Sequence, residues 1–333
     1  MVARAMDIFI TLDYEIYFGS NTGTVAKCII EPTEMLIKIA QKHDVQFSFF
    51  VDCGFLLKLD EFRKKYSALE KDYTVIVSQI KQLSSEGHDI QLHIHPHWED
   101  SYYNGEQWII NTKRYKLADF SSNEIEDIVK RYKKVIIDIT GKAVFVNRAG
   151  GWCMQPFDKL KDSMKANGIK VDSTVFTDAK NLSHPYNYDF TNAPNKTSWT
   201  FEDNPVEEKE NGFFKEIAIS SIKVSPLFYW KLFLVGRMNP YQHKPLGDGR
   251  PIASSGYRRN LLSNYTQQPV SIDGDNAKLL NKALRQTSKK GNEFVVLGHP
   301  KALSRFSINA LEAFVIQHKA NHNFTTYTNY FKP

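Results

Sequence analysis

The sequence predicts an α/β fold in which parallel β-strands alternate with crossover helices. Two observations carry this prediction: short runs of apolar and β-branched residues, and between them longer stretches whose apolar residues recur at helical spacing. Strand–helix–strand units of this kind build parallel sheets, and their number favours a distorted (β/α) barrel over an open sheet. We expect a single domain over residues 1–333, with an elaborated or inserted segment at about 176–275.

Strands are predicted where apolar residues run without interruption between charged or turn-forming residues. A short apolar run bounded in this way is consistent with a strand that is buried in the sheet. In chain order the predicted strands are Asp7–Leu12, Val45–Val51, Asp89–Ile94, Ala143–Val146, Ile169–Asp172, Glu293–Leu297 and Phe324–Tyr327.

Helices are predicted between these strands from an apolar face together with start and stop signals. Pro32 opens the first helix, because a proline in the first turn lacks only an N–H that would be unpaired there. Ser121 and Glu124 form a capping box at the start of another helix, and Gly141 ends it. The remaining predicted helices are Tyr73–Ser85, Gln155–Asn167, Ala277–Ser288 and Ser307–His318.

Two regions lack a clear period. Residues 96–120 are rich in Trp, Tyr and Asn and predict a long loop, which is a common place for functional residues. Residues 176–275 carry many Pro, Asn and Asp residues, and most of their elements stay unassigned. Within them the apolar run Leu227–Leu234 predicts a core segment, and the alternative is a hydrophobic groove for a lipid-linked substrate.

Composition and charge exclude several classes of protein. With 42% hydrophobic and 24% charged residues, the chain has the composition of an ordinary globular protein. No apolar run reaches the ~18 residues of a transmembrane helix. The formal charge of +6 suits an anionic small substrate or a transient contact with an acidic membrane surface. Basic residues scattered among acidic ones argue against a nucleic-acid partner.

The N-terminal residues and the cysteines predict the compartment. The first apolar run is short and soon followed by charge, which is unlike a signal peptide. Cys28, Cys53 and Cys153 are widely spaced and odd in number, which favours free thiols in a reducing compartment. We therefore expect a cytoplasmic protein.

Ionisable residues follow the ends of most predicted strands. In chain order they are Asp13, Glu15, His93, His95, His97, Arg148, Asp172 and His299. The carboxyl ends of the strands of a parallel barrel converge on one mouth, where active sites lie. We therefore expect these residues, which are far apart in the sequence, to meet in an active site at the C-terminal strand ends.

The segment His93-Ile-His-Pro-His97 predicts a metal site, since three histidines in so short a run are hard to explain as packing. Strand alternation would put all three on one face, whereas a turn after His93 would select His93 and His97. Imidazole with carboxylate suits Zn²⁺, Co²⁺, Ni²⁺ or Fe²⁺, and two histidines with one carboxylate leave coordination sites open for catalysis. A lone histidine such as His299 is more often structural, and Asp13 and Glu15 taken alone are more simply explained as turn residues.

Arg148 precedes two glycines, Gly150 and Gly151. Glycines permit close approach of the backbone and unusual dihedral angles. Backbone N–H groups exposed at such a turn can bind a developing oxyanion. The alternative is that Arg148 is an ordinary surface residue.

Together these motifs resemble the polysaccharide deacetylases with the NodB homology domain, carbohydrate esterase family 4. Thr11-Leu-Asp-Tyr-Glu15 is similar to the first family motif in its D-x-E variant, and Phe47-Ser-Phe-Phe-Val51 is similar to the strand that follows. The second motif has its counterpart in Gly87-His-Asp-Ile-Gln-Leu-His93-Ile-His-Pro-His97-Trp98.

The later motifs of the family follow in the same order. Arg148-Ala-Gly-Gly-Trp152 resembles the third motif but lacks its usual proline. Asp172-Ser-Thr and Leu297-Gly-His299-Pro300 resemble the last two motifs. The histidine and arginine segments are most similar to the WalW-like branch tied to lipopolysaccharide biosynthesis. The resemblance implies the distorted (β/α) barrel of the NodB-homology type.

The resemblance also implies roles for the residues at the strand ends. The implied ligands of a divalent metal are Glu15, His93 and His97. The implied catalytic residues are the general base Asp13, the general acid His299, Arg148, which orients Asp13, and Asp172, which holds His299 protonated. The implied oxyanion- or substrate-binding residues are Gly151, Trp152, His95 and Trp98.

The function implied by the resemblance is metal-dependent removal of the N-acetyl group from an acetamido sugar, in lipopolysaccharide, O-antigen or related glycan biosynthesis. The implied cofactor is Zn²⁺, with Co, Ni or Fe as alternatives. The implied partner is an N-acetylated sugar on a nucleotide or lipid carrier. One alternative is a barrel amidohydrolase that binds metal through His93 and His95, and another is a non-catalytic carbohydrate-binding relative.

Overall fold

Parallel strands followed by helices make up much of the chain. The structure is a computed structural model that describes residues 5–252 and 255–332. The strands are β1 (Asp7–Tyr14), β2 (Ser48–Asp52), β3 (Asp89–Ile94), β4 (Tyr102–Tyr103), β5 (Trp108–Ile109), β6 (Val146–Ala149), β7 (Val171–Asp172), β8 (Lys180–Asn181), β9 (Tyr188–Asp189), β10 (Ser198–Phe201), β11 (Phe214–Ile217), β12 (Ser221–Val224), β13 (Thr266–Pro269), β14 (Glu293–Gly298) and β15 (Asn323–Phe324). The helices are α1 (Glu31–His43), α2 (Cys53–Arg63), α3 (Ala68–Ser85), α4 (Ser122–Thr140), α5 (Lys161–Ala166), α6 (Pro226–Met238), α7 (Pro240–His243), α8 (Ser255–Ser263), α9 (Leu280–Thr287), α10 (Arg305–His318) and α11 (Tyr327–Tyr330).

The chain forms two compact units. The first unit comprises Met1–Phe47 and Ile219–Tyr330, and the second comprises Ser48–Ala218 and Phe331–Pro333. In the first unit, β1 pairs in parallel with β14 and with β15. In the second unit, the strand order is β10-β11-β7-β6-β3-β2, and every pair is parallel except β10 with β11. The predicted α/β class is confirmed, and the assignment of one domain to residues 1–333 stays a prediction.

Local signals in the sequence explain where several helices begin and end. Ser121 and Glu124 form the predicted capping box of α4, because the Ser121 N–H donates to the Glu124 carboxylate at 2.9 Å and the Glu124 N–H to Ser121 Oγ at 3.5 Å. Gly141 ends α4 with a φ of 66°. Asp52 caps α2 by accepting a hydrogen bond from the Phe55 N–H at 3.3 Å.

Other elements differ from the prediction. The fourth predicted strand, 143–146, lies instead at Val146–Ala149, so Arg148 is inside a strand and not after it. Helix α2 was not predicted, since its apolar residues do not lie on one face. The last predicted strand, 324–327, is divided between β15 and the start of α11. In each case contacts distant in the sequence outweigh local propensity.

The unassigned segment 176–275 is divided between the two units. Its first part contains β8–β11, and its second part contains the antiparallel pair β12–β13 with α6–α8 between the two strands. Leu227 and Leu234 of α6 are exposed, which corrects the prediction that this apolar run belongs to the core. The side chain of Phe233 in the same run lies outside the described part of the structure.

Two features expected from the sequence, free cysteines and no helix suited to crossing a bilayer, can be compared with the structure. Cys28, Cys53 and Cys153 are buried free thiols. Among the described residues, no helix combines the length and the apolar character that crossing a bilayer requires.

Candidate active site

Carboxylates and an imidazole meet at the carboxyl ends of β1 and β14 in the first unit. Leu12 and Gly298 are register partners, so the residues that follow each strand leave the sheet side by side. His299 Nε2 lies 3.6 Å from Asp13 Oδ2 and 3.7 Å from Glu15 Oε1. The structure therefore brings together three of the predicted site residues. We call them, with Asp273 and Lys301, the His299 cluster.

Asp273 is the carboxylate that binds His299. Its Oδ2 lies 2.7 Å from His299 Nδ1, and its Oδ1 accepts the His299 backbone N–H at 2.8 Å. The Ile272 N–H donates to Leu297 O at 2.9 Å, which fixes Asp273 beside the end of β14. The resemblance assigned this partner role to Asp172, and Asp273 takes it in the structure. A signal was present in the sequence, since Asp273 directly follows the apolar residues Val270 and Ile272.

The His299 cluster holds its imidazole in the charged form. Burial is the largest single influence and lowers the pKa of His299, but the carboxylates of Asp273, Asp13 and Glu15 together raise it by more, with Asp273 contributing most of the rise. The pKa of His299 is thereby raised to about 9. At neutral pH the ring is an imidazolium whose Nε2–H faces the side of the Asp13 and Glu15 carboxylates. A protonated imidazole in this position can act as a general acid.

Lys301 is a buried member of the same cluster that the sequence did not single out. Its Nζ donates to Glu15 Oε1 at 2.8 Å and to Ile16 O at 2.7 Å. The ammonium also lies 5.0 Å from the Tyr17 ring centre, and the Tyr17 hydroxyl donates to Lys301 O at 2.9 Å. These contacts fix the Glu15 carboxylate through charge and through the backbone that follows it.

Three histidines lie at the carboxyl end of β3 in the second unit, and we call them the histidine cluster. His93 pairs with Arg148 across β3 and β6, and its Nδ1–H donates to Arg148 O at 2.8 Å. In the neutral ring this leaves a lone pair on His93 Nε2. His95 Nε2 lies 3.1 Å from that atom. His97 stacks on Trp98 and Tyr115, with ring centres 5.4 Å from each.

The histidine cluster has donor chemistry that fits a divalent metal. Ligating imidazoles usually donate their second N–H to a carbonyl or carboxylate, as His93 does. Two nitrogens at ~2.0–2.1 Å from one ion lie roughly 3 Å apart, close to the separation of 3.1 Å between His93 Nε2 and His95 Nε2. Within this unit, the imidazole nitrogen of His95 is close enough to that of His93 for both to bind one ion. The assignment of His97 as the second histidine ligand stays a prediction.

Arg148 and the two glycines after it support the histidine cluster. Arg148 is fully buried, with its guanidinium carbon 4.0 Å from the Phe50 ring centre and its Nε donating to Ser173 O at 2.7 Å. A Cβ on Gly150 would lie 2.4 Å from His95 Nδ1, so only glycine leaves room for that ring. Gly151 has a φ of 58°, which glycine adopts without strain. Arg148 is therefore not a surface residue.

Trp98 and Trp152 differ in exposure. Trp98 is fully buried, and its indole N–H donates to Asp52 Oδ2 at 2.7 Å. Trp98 also stacks on the ring of His97, and its contact with substrate stays a prediction. Trp152 is partly exposed and has a φ of 60°, unusual for a residue with a side chain.

Asp172 belongs to a buried carboxyl pair. It is the register partner of Glu216, and the Thr174 N–H donates to Asp172 Oδ2 at 2.9 Å and to Glu216 Oε1 at 3.2 Å. Burial raises the pKa of both groups, and the Asp172 charge raises the pKa of Glu216 well above its ordinary value. Burial and the neighbouring carboxylate therefore favour the protonated form of Glu216, because a second buried negative charge beside Asp172 would be costly.

Comparison with solved structures places this fold among known ones. No protein-family model and no curated protein matches the chain. The fold is similar to that of a Mycobacterium smegmatis protein assigned to the polysaccharide deacetylases, with 12% identity and a TM-score of 0.52 over 98% of this chain and 90% of that chain. It is also similar to PuuE allantoinase, with 9% identity and a TM-score of 0.50 over 97% of this chain and 88% of that chain.

A polysaccharide deacetylase from Bacillus cereus also aligns, with 14% identity and a TM-score of 0.44 over 98% of this chain and 94% of that chain. The Mycobacterium smegmatis likeness confirms the fold class that the sequence predicts. Because a deacetylase-type protein and an allantoinase share this fold, the fold by itself does not select the reaction.

Proposed function

We propose that this chain is a metal-dependent hydrolase that removes the N-acetyl group from an acetamido sugar. The observation that supports this most is the state of His93, whose Nδ1–H donates to Arg148 O at 2.8 Å, as metal-ligating imidazoles usually donate their second N–H. One such imidazole, with a second histidine and one carboxylate, leaves coordination sites open on a divalent ion for catalysis. The deacetylase motifs in the sequence support this reaction class, and the fold is compatible with it.

The proposed metal ligands are Glu15, His93 and His97. Zn²⁺ is the proposed ion, with Co, Ni or Fe as alternatives, and when bound it supplies Lewis acidity at the acetamide carbonyl. Lys301 holds Glu15 Oε1 at 2.8 Å, so one carboxylate oxygen is already fixed in place by the protein.

Asp13 and His299 are the proposed base and acid. Asp13 takes a proton from the attacking water, and the His299 imidazolium at 3.6 Å favours its ionised form. The C–N bond of the amide breaks as His299 Nε2 gives its proton to the sugar amine, and acetate leaves as the other product. Asp273 orients the ring throughout. Arg148 is proposed to orient Asp13, and the backbone N–H groups of Gly151 and Trp152 to bind the oxyanion.

The proposed substrate is an N-acetylated sugar on a nucleotide or lipid carrier in the cytoplasm. The resemblance to the WalW-like branch supports this substrate, and the three buried free thiols suit a reducing compartment. A role in lipopolysaccharide or O-antigen biosynthesis is part of the same proposal.

A second candidate is an amidohydrolase-type site in which His93 and His95 are the paired ligands. The separation of 3.1 Å between their Nε2 atoms favours this pair. In that case His97, stacked between Trp98 and Tyr115, supports the ring of His95 and binds no metal.

Metal analysis combined with acetate release tests the proposal. The purified chain is expected to bind one divalent ion and to release acetate from at least one member of a panel of N-acetylated nucleotide sugars and O-antigen precursors. Asp13→Asn is expected to keep the metal while kcat falls ~10²–10⁴-fold, and Asp203→Asn, an exposed aspartate, serves as the matched control. Sugar binding without acetate release by the metal-loaded chain would instead support the non-catalytic relative.

A further inference from the structure

Helix α6 presents an apolar stripe to solvent. Leu227, Trp230, Leu234 and Met238 recur at intervals of three and four residues, and their exposed fractions run from 49% to 81%. This spacing puts them on one face of a helix. Tyr241 of the following helix α7 is also exposed. Exposed apolar residues are normally scattered singly over a surface, so an aligned set marks an interaction site.

Helix α6 is attached to the protein through α8, including through Trp230 of the stripe itself, so the stripe is a stable surface feature. α6 packs against α8, and the Trp230 indole N–H donates to Leu262 O at 3.0 Å. Strands β12 and β13 join this helical segment to the sheet of the first unit. There the Val270 N–H donates to Ser220 O at 2.7 Å, and the Leu297 N–H donates to Val270 O at 2.9 Å. The exposed face therefore remains after the helix has made its contacts within the fold.

Positive charge is concentrated in the same part of the chain. Residues 217–272 contain seven Lys and Arg residues but a single acidic residue, Asp248, so this segment alone carries the +6 of the whole chain. Asp248 accepts hydrogen bonds from the Thr24 N–H at 2.8 Å and the Thr24 hydroxyl at 2.9 Å. Lys231 on α6 and Lys244 after α7 are exposed beside the stripe.

We propose that this surface, the α6 stripe with its flanking basic residues, docks on an anionic lipid membrane. An interfacial helix places its apolar side chains at the boundary of headgroups and acyl chains while basic residues bind lipid phosphates. Trp230 has the amphipathic ring that favours this depth. A second copy of the chain is a poorer occupant, because two segments of like charge would face each other.

The docking segment also contacts the His299 cluster within the first unit. After α7 the chain returns to this cluster, where the Gly247 N–H donates to Lys301 O at 3.1 Å and Gly249 packs against Tyr17. A membrane bound by α6 would therefore lie close in the chain to the segment that hydrogen-bonds the Lys301 backbone. The docking proposal itself does not depend on the proposed deacetylase activity.

Vesicle flotation of the full chain tests the docking surface. Phosphatidylcholine vesicles containing phosphatidylglycerol are expected to bind the protein, pure phosphatidylcholine vesicles to bind it weakly, and added salt to weaken the anionic binding. Combining Leu227→Glu with Leu234→Glu should reduce binding by roughly tenfold or more. The matched control is Ile316→Glu, an equally exposed apolar residue on α10, which should bind as the unmodified chain does.

Three outcomes would overturn the proposal. They are absence of binding to anionic vesicles, equal loss in the Ile316→Glu control, and self-association that the double variant disperses without any vesicle binding. Circular dichroism checks that each variant is folded. If the double variant does not fold, Lys231→Glu and Leu234→Ser each separately test the same surface, and unchanged binding by both would likewise refute it.

Discussion

Asp273 binds His299 at two points, through the ring Nδ1 at 2.7 Å and through the backbone N–H at 2.8 Å. One carboxylate thus fixes both the position of the residue and the rotation of its ring. With Nδ1 held, Nε2 points to the side on which Asp13 and Glu15 lie. The pair therefore determines both where the proton of His299 is and how firmly it is held.

Replacing Asp273 with Asn should lower the pKa of His299 from about 9 toward its ordinary value of 6.5. Because the folded-state pKa is raised, the pair stabilises the fold fully below pH ~6.5 and loses this effect as the pH rises through ~9. NMR titration of the metal-free protein measures the shift. Asp275→Asn, whose carboxylate lies near His243 and Lys278, is the control and should leave the His299 titration unchanged.

Lys301→Met should destabilise the protein by about 3–5 kcal/mol, since it leaves Glu15 without the buried ammonium that binds it. Lys301→Arg should cost less because the charge is kept. Urea unfolding measures both, and Lys282→Met makes the same change at an exposed position, where an effect within about 0.5 kcal/mol is expected. A loss at Lys301 no larger than at Lys282 would contradict this account of the cluster.

Glu216→Gln should make the protein more stable than the unmodified chain at neutral and alkaline pH. Burial and Asp172 raise the pKa of Glu216, so the folded protein holds a proton that the unfolded chain releases above pH 4.5. Stability then falls as the pH rises from 4.5 toward the folded-state pKa, and glutamine removes this dependence. Thermal melts from pH 4 to 9 measure the difference, and the exposed Glu210→Gln should show none.

His97→Ala should remove stoichiometric metal if His97 is a ligand, and His95→Ala should then retain it. The structure makes this comparison decisive, because His95 is the residue whose Nε2 lies 3.1 Å from His93 Nε2. Metal content after dialysis gives the answer, with the exposed His184→Ala as control. Retention in His97→Ala with loss in His95→Ala would reassign the second ligand and favour the amidohydrolase candidate.

The sequence predicted elements whose signals are local. β3 has the bounds predicted for it, and the α4 capping box and its terminal glycine lie where the sequence indicates them. The sequence placed Arg148 after its strand, whereas in the structure it lies inside β6. Its burial depends on contacts with Phe50 and Ser173, which are distant in the sequence. The exposed face of α6 could not be distinguished from a core segment, since both are apolar.

The residues missed at the site have the same explanation. Lys301 looks like any surface lysine until the fold places it beside Glu15, 286 positions away in the sequence. The apolar residues before Asp273 are a local signal that it follows a buried segment, but its pairing with His299 depends on the backbone contact of Ile272 with Leu297, which the sequence does not indicate. The sequence shows that Lys301 and Asp273 are charged and can form hydrogen bonds. Which residues they bind is determined by the tertiary structure.

The parallel pairing of β1 with β14 has a consequence for synthesis of the chain. β1 emerges from the ribosome about 280 residues before β14, an interval of roughly 15–60 s at ~5–20 residues per second. Throughout that time the first unit is incomplete, while Ser48–Ala218 provides most of the second unit as one continuous stretch. The nascent β1 is an apolar strand that lacks this neighbour during synthesis. We therefore expect β1 to be an early site of mispairing or of chaperone binding.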